Sequence, residues 1–160
     1  MSLTSHPFVR VAVKGYLGWN FDLGQIRRLV WNTSVGVEGE MRGLLGGGGT
    51  GRAYPFGGGV YQASAVGELP AKQTGQLAES VLARQSKNGL AAWIGPSTKK
   101  GLESPFYPAF LVYGAERGDK GGTLGKRKNA STIAMRRYRA RFNRELAKAM
   151  QTAIKPGSTS

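Results

Sequence analysis

Two helix-period patterns bracket the chain and restrict what can lie between them. Near the N-terminus, Leu23, Ile26, Leu29, Val30, Thr33, Val37, Met41, Leu44 and Leu45 recur at steps of three and four. That spacing predicts a long amphipathic helix over residues 22–45. Asn20 or Asp22 can cap its start, Gly36 and Gly39 weaken its middle, and Gly46-Gly47-Gly48-Gly49 stops it. Near the C-terminus, Met135, Tyr138, Phe142, Leu146, Ala149 or Met150, and Ala153 form a second apolar stripe. Ser131 or Thr132 is the expected cap of this helix, and its stripe is expected to pack on the sheet. Arg137, Arg141, Arg144 and Lys148 fall on its other faces.

The region between reads as short strands and turns. Glycine supplies 25 of 160 residues, so much of the chain must be loop. Phe8–Lys14 is β-branched and partly alternating, a short strand or an extended arm. Arg52–Phe56 and Val60–Ser64 flank a glycine run, as a hairpin or an irregular extended pair. Ala65–Ala71 has the residues of a loop, and Thr74 can cap a short helix over Gln76–Leu82. Val81–Ser86 and Leu90–Ile94 flank Lys87-Asn88-Gly89, the best hairpin signal in the chain. Phe106–Tyr113 is a short helix or a buried strand, which periodicity cannot separate.

The fold expected is α+β. A small antiparallel β-sheet is packed by the long N-terminal helix and the C-terminal amphipathic helix, with extended arms and a long basic loop. One domain spans 1–160, with an N-terminal arm or strand over 1–20, a flexible basic loop over 118–130 and a disordered tail over 155–160.

Charge is distributed unevenly. The net charge is +14, from 23 Lys and Arg against 9 Asp and Glu, and most of the excess lies in the second half. Arg117–Lys148 alone holds 11 basic residues against Asp119 and Glu145. A charge run is often only a solvated face, but this asymmetry favours a polyanionic or acidic partner. Lys120, Lys126, Arg127, Lys128, Arg136, Arg137, Arg141 and Arg144 are the candidate contacts for a partner or for DNA.

Several chemistries are excluded by residue supply. With no Cys there is no disulfide, thiol nucleophile or Cys-based zinc site. His6 is the single histidine, so no multi-histidine metal site exists. Gly46–Gly51 has the glycine spacing of a phosphate loop, but Arg52 and Ala53 stand where Lys and Ser or Thr are needed. The carboxylates show no spacing that pairs them on one face, so no enzyme activity and no cofactor are expected. Tyr54, Phe56, Tyr61, Phe106, Tyr107, Phe110 and Tyr113 can stack on bases, but core packing is the stronger reading. No apolar run approaches membrane length and no secretory signal is visible at Met1–Arg10, so a soluble chain is expected.

One stretch is more specific. Gly51-Arg52-x-Tyr54 is followed by Ala63-Ser64-Ala65-x-Gly67-Glu68-x-Pro70-Ala71 and by Thr74-Gly75-x-Leu77-x-x-Ser80. Ile94-Gly95-Pro96 and Phe110–Ala115 come next. This order resembles the neck, or tail-completion (minor head–tail connector), proteins of tailed bacteriophages. Val66 departs from the family's usual proline, and the Arg-Pro-Phe-Leu-x-Pro segment expected before the last helix is absent. Gly67, Glu68, Pro70, Thr74 and Gly75 form the motif loop.

The resemblance implies a structural virion protein. It would form a homo-oligomeric ring, expected as a hexamer, that completes the tail or joins it to the capsid around the DNA path. Its partners would be other neck, connector and tail proteins, with DNA in the lumen and no membrane. Its location would be the virion neck, after assembly in the host cytoplasm. The Gly46–Gly49 region and the basic loop would serve as arms that reach neighbours. The other reading is a basic nucleic-acid-binding protein that uses Arg117–Lys148.

Overall fold

A computed structural model describes residues 9–12, 23–72, 74–98, 107–117 and 122–153. The first helix, α1 (Leu23–Leu44), turns one continuous face inward: Ile26, Val30, Thr33, Ser34, Val37 and Met41 are buried. The Ser34 hydroxyl within that face donates to the Val30 carbonyl at 2.6 Å, so burial leaves it paired.

A three-stranded antiparallel sheet receives this face. Its strands are β1 (Val9–Ala12), β4 (Val81–Gln85) and β5 (Ala91–Pro96), in the order β1-β5-β4. Ala83 lies opposite Ile94 and Arg84 opposite Trp93. Strand alternation sends Val81, Ala83, Ala92 and Ile94 into the core with Val30, Val37 and Met41. The sheet and the long N-terminal helix therefore stand as the sequence predicts, in an α+β arrangement.

A separate hairpin joins β2 (Ala53–Phe56) to β3 (Gly59–Gln62). Its turn residues Gly57 and Gly58 both have positive φ, 57° and 82°, which a tight two-residue hairpin turn requires. Next, α2 covers only Gln76–Glu79, and Gly75 at its cap is left-handed with φ 87°. The expected helix to Leu82 is cut short because Val81 and Leu82 are taken into β4. The Asn88-Gly89 turn then links β4 to β5, with Gly89 at φ 72°.

Phe106–Tyr113 resolves as helix α3 (Tyr107–Tyr113). Pro108 sits in the first turn, where its missing N–H is harmless, and Gly114 follows the end at φ 77°. The short strands β6 (Ala115–Arg117) and β7 (Gly122–Leu124) pair after it. The loop expected over 118–130 is therefore a strand at 122–124. Beyond that, backbone bonds fix residues 125–129, as described below. The expectations for residues 1–8, Asn20, Asp22, 118–121 and 155–160 lie outside the described residues.

The last helix, α4 (Ala130–Ala153), starts two or three residues earlier than a cap at Ser131 or Thr132 implies. The Asn129 side-chain oxygen accepts from Ser131 N at 2.9 Å, so Asn129 is the cap rather than Ser131 or Thr132. Its stripe runs antiparallel mainly along α1, and the helix also meets the sheet at β1. Ala130 and Ala134 are buried in the core, while Met135, Tyr138 and Phe142 are half-buried against it. A Cβ on Gly36 of α1 would lie 2.6 Å from the Tyr138 ring, so that glycine lets the two helices approach.

This geometry ranks the core residues. Met41→Ala should destabilise by about 2–5 kcal/mol, since the side chain is almost fully enclosed. Phe142→Ala should cost less than the roughly 3–5 kcal/mol of a fully buried phenylalanine, because part of its ring already meets solvent. Urea unfolding of both variants checks the order, and a larger loss at Phe142 than at Met41 contradicts the packing.

Candidate partner-binding site

The glycine run after α1 is held by backbone. Gly51 N donates to the Ala63 carbonyl at 2.7 Å, Ala63 N to Arg52 O at 3.1 Å, and Lys72 N to Gly47 O at 2.7 Å. A Cβ on Gly49 would overlap the Ala63 carbonyl, and one on Gly51 would stand 2.8 Å from it. The glycines are thus required by close backbone approach, not by phosphate binding. The expected arm at Gly46–Gly49 is instead part of the folded unit.

Glu68 organises this junction. One carboxylate oxygen accepts from Thr50 N at 3.1 Å and Ala65 N at 2.8 Å, and the other accepts the Thr50 hydroxyl. The Thr50 hydroxyl, then the Ala65 and Thr50 N–H groups, and last the nearby Arg127 charge hold its pKa below the ordinary 4.5. Gly67, at φ 80°, lets the loop turn back beneath the carboxylate. Pro70 is buried, and the Thr74 hydroxyl accepts from Gln76 N at 3.3 Å at the start of α2.

The motif loop meets the basic segment. Gly67 N donates to Lys126 O at 2.9 Å, and Lys128 N donates to Glu68 O at 2.7 Å. Arg127 N donates to Leu111 O at 2.8 Å. These bonds bring Gly67 and Glu68 together with Lys126, Arg127 and Lys128 across nearly sixty residues of sequence.

The candidate cations then separate by role. Arg127 is half-buried; its Nε donates to the Ser64 hydroxyl and its NH1 to the Gly125 carbonyl, both at 2.7 Å. Within the fold it is a structural clamp. Lys126 and Lys128 are exposed on either side of it, near the exposed Val66. Arg137 pairs with Glu40 of α1, and Arg144 lies 3.5 Å from Glu145. Arg136 and Arg141 are exposed and form no ion pair among the described residues. Lys120 lies outside the described residues.

Sequence reasoning missed Arg139, which is also exposed. Its place three residues after Arg136, one helical turn along, was the available signal. These side chains offer an electropositive rim suited to anionic surfaces. A cavity of about 30 Å³ between Met41, Leu77, Leu111 and Ala130 has room for one water. Among the described residues, no cluster of His, Cys, Asp or Glu is placed to hold a metal, and no helix is long and apolar enough to cross a membrane. No family model, curated protein or solved structure matches the chain.

Two tests follow from the junction. Gly49→Ala should lower stability by roughly 1–3 kcal/mol or more, whereas Gly48→Ala, with open space around it, should change it by less than about 0.5 kcal/mol. Equal denaturation midpoints for the two variants contradict the close approach. The depressed pKa of Glu68 means that its contribution is present above pH 4.5 and lost as pH falls through the folded value. Glu68→Gln should therefore be less stable than the parent near neutrality, with a shallower loss of stability upon acidification. Parallel urea titrations at pH 7 and below pH 4 read this difference.

Proposed function

We propose that this chain is a structural subunit of the head–tail connector, or neck, of a tailed bacteriophage. It forms a homo-oligomeric ring, a hexamer, that completes the tail or joins it to the capsid around the DNA path. The observation that carries this reading is the convergence at Glu68. The residues of the resemblance, Gly51, Arg52, Ser64, Ala65, Gly67 and Glu68, meet Lys126–Lys128 in one hydrogen-bonded junction. The motif thus works as scaffold, and the flanking Lys126 and Lys128 are presented outward. A module with a stiff internal junction and a charged rim suits a role in assembly rather than catalysis. Its partners are other neck, connector and tail proteins with acidic surfaces, and DNA in the lumen. Its place is the virion neck, reached by assembly in the host cytoplasm.

A second reading rests on Arg136, Arg139 and Arg141, exposed along α4 without ion pairs among the described residues. Arg136 and Arg139, one helical turn apart, would contact phosphates in a basic nucleic-acid-binding protein, with Arg141 on another side of the helix.

Native mass spectrometry and negative-stain imaging of the full chain separate the two. A closed ring or a cap on tail ends supports the connector. A monomer that shifts duplex DNA with a steep salt slope supports the second reading. Lys126→Glu with Lys128→Glu should preserve the fold, since only the backbone of these residues bonds to the motif loop. In the connector reading this double variant should fail to dock on DNA-free partner rings. Docking at the parental level would remove the two lysines from the interface.

A further inference from the structure

The outer face of the three-stranded sheet carries a groove that none of these roles uses. Ala83 and Ile94 face the core, so the next register pair, Arg84 and Trp93, lies on the outer face together with Leu82 and Gly95. The groove measures about 410 Å³ and is lined by Leu82, Arg84, Trp93, Gly95, Ser97 and Thr98. Gly95 is the cross-strand neighbour of Leu82, so the floor between Leu82 and Trp93 has no side chain to fill it. Trp93 is 42% exposed, although it occupies the central strand. The Arg84 guanidinium donates to the Ser97 hydroxyl at 3.3 Å, which lays it across the groove. Arg10 on β1 is the register partner of Trp93 from the other side.

We propose that this groove docks an extended, acidic segment of a partner protein. One apolar side chain of that segment enters the slot over Gly95 against Trp93 and Leu82, and one carboxylate pairs with Arg84. Charge complementarity carries the choice of occupant. Among the described residues, the lining holds an arginine and no carboxylate. Bidentate recognition of a carboxylate is what a guanidinium does best. Tryptophan and arginine are also the residue types that dominate binding hot spots. A single-stranded nucleic acid would need a series of cations tracking its phosphates, whereas the described lining offers one, Arg84. A second copy has few acidic segments to offer, with 9 Asp and Glu against 23 Lys and Arg. The proposal does not rest on the connector reading, because its argument uses Arg84, Trp93 and Leu82 and neither Lys126, Lys128 nor the motif loop.

A library of random dodecapeptides selected on the full-length chain, with counter-selection on Trp93→Ala, tests it. The expected consensus places Asp or Glu within two residues of an aromatic or aliphatic side chain. Affinity of the selected peptides should fall at least roughly tenfold in Arg84→Glu and in Trp93→Ala. Trp93→Phe should keep most of the affinity, which separates loss of the contact from loss of the fold. Failure to find peptides that distinguish the parent from Trp93→Ala overturns the proposal, as does a basic consensus. Oligothymidine that binds more tightly than any peptide, and loses binding in Trp93→Ala, overturns it in favour of a base-stacking platform. Ring formation measured on the same variants should be unchanged, which keeps this result apart from the connector reading.

Discussion

Helix α1 presents three of its sides to the rest of the chain, and each side meets a different physical demand. The apolar side, with Val30, Val37 and Met41, supplies the core surface on which β4 and β5 lie. A second side runs along β4, which is an edge strand of the sheet. There Glu38 accepts from Ala83 N at 2.9 Å, and Arg42 donates to the Val81 carbonyl at 2.8 Å. The two side chains also pair with each other at 2.6 Å. A half-buried ion pair of this kind adds only modest stability by itself. Its value is that outward-facing backbone groups are matched and one sheet edge is closed to other strands. A third side meets α4 through Gly36, Glu40 and Gln25, against Tyr138, Arg137 and Thr152.

The sequence makes some of this plain and hides the rest for definable reasons. Helices α1 and α4 are legible because a stripe at helical period is a local pattern. The Asn88-Gly89 turn is legible for the same reason. The pairing of β1 with β5 joins residues about eighty positions apart, so no window of sequence contains it. The cap of α4 was misplaced because Ser131 and Thr132 are good capping types. What decides the start is burial of Ala130 and Ala134 against α1, which needs both residues inside the helix. Phe142 illustrates the same limit. Its stripe position was readable, but its half-burial depends on how far α1 extends over it.

The candidate site shows a sharper version of the problem. Composition marks Gly46–Gly51 and residues 118–130 as flexible, since glycine and charge abound in both. Yet the backbone donors of Gly51, Lys72, Arg127 and Lys128 all find carbonyl partners. Those partners lie in other segments, so composition overstated the freedom of Gly46–Gly51 and of residues 126–129. Likewise, sequence ranks Arg127 with its neighbours Lys126 and Lys128 as one basic cluster. Only the position of Ser64 and the Gly125 carbonyl shows that the middle residue points inward. A motif residue such as Glu68 was recognisable, but its work of tying Thr50 to Ala65 was not.

The same bonds explain why the outer surface is so strongly cationic. The described chain has few carboxylates, and the fold engages most of them internally. Glu38 pairs with Arg42, Glu40 with Arg137, and Glu145 lies near Arg144 and Lys148. Glu68 is taken by Thr50 and Ala65. Acidic groups that might have balanced the exterior are thereby withdrawn, while Lys126, Lys128, Arg136, Arg139 and Arg141 remain exposed. Copies of such a chain repel one another when their charged rims approach. In the proposed ring, this repulsion opposes closure wherever the rims of neighbouring subunits lie close, and an anionic surface set against the rim relieves it.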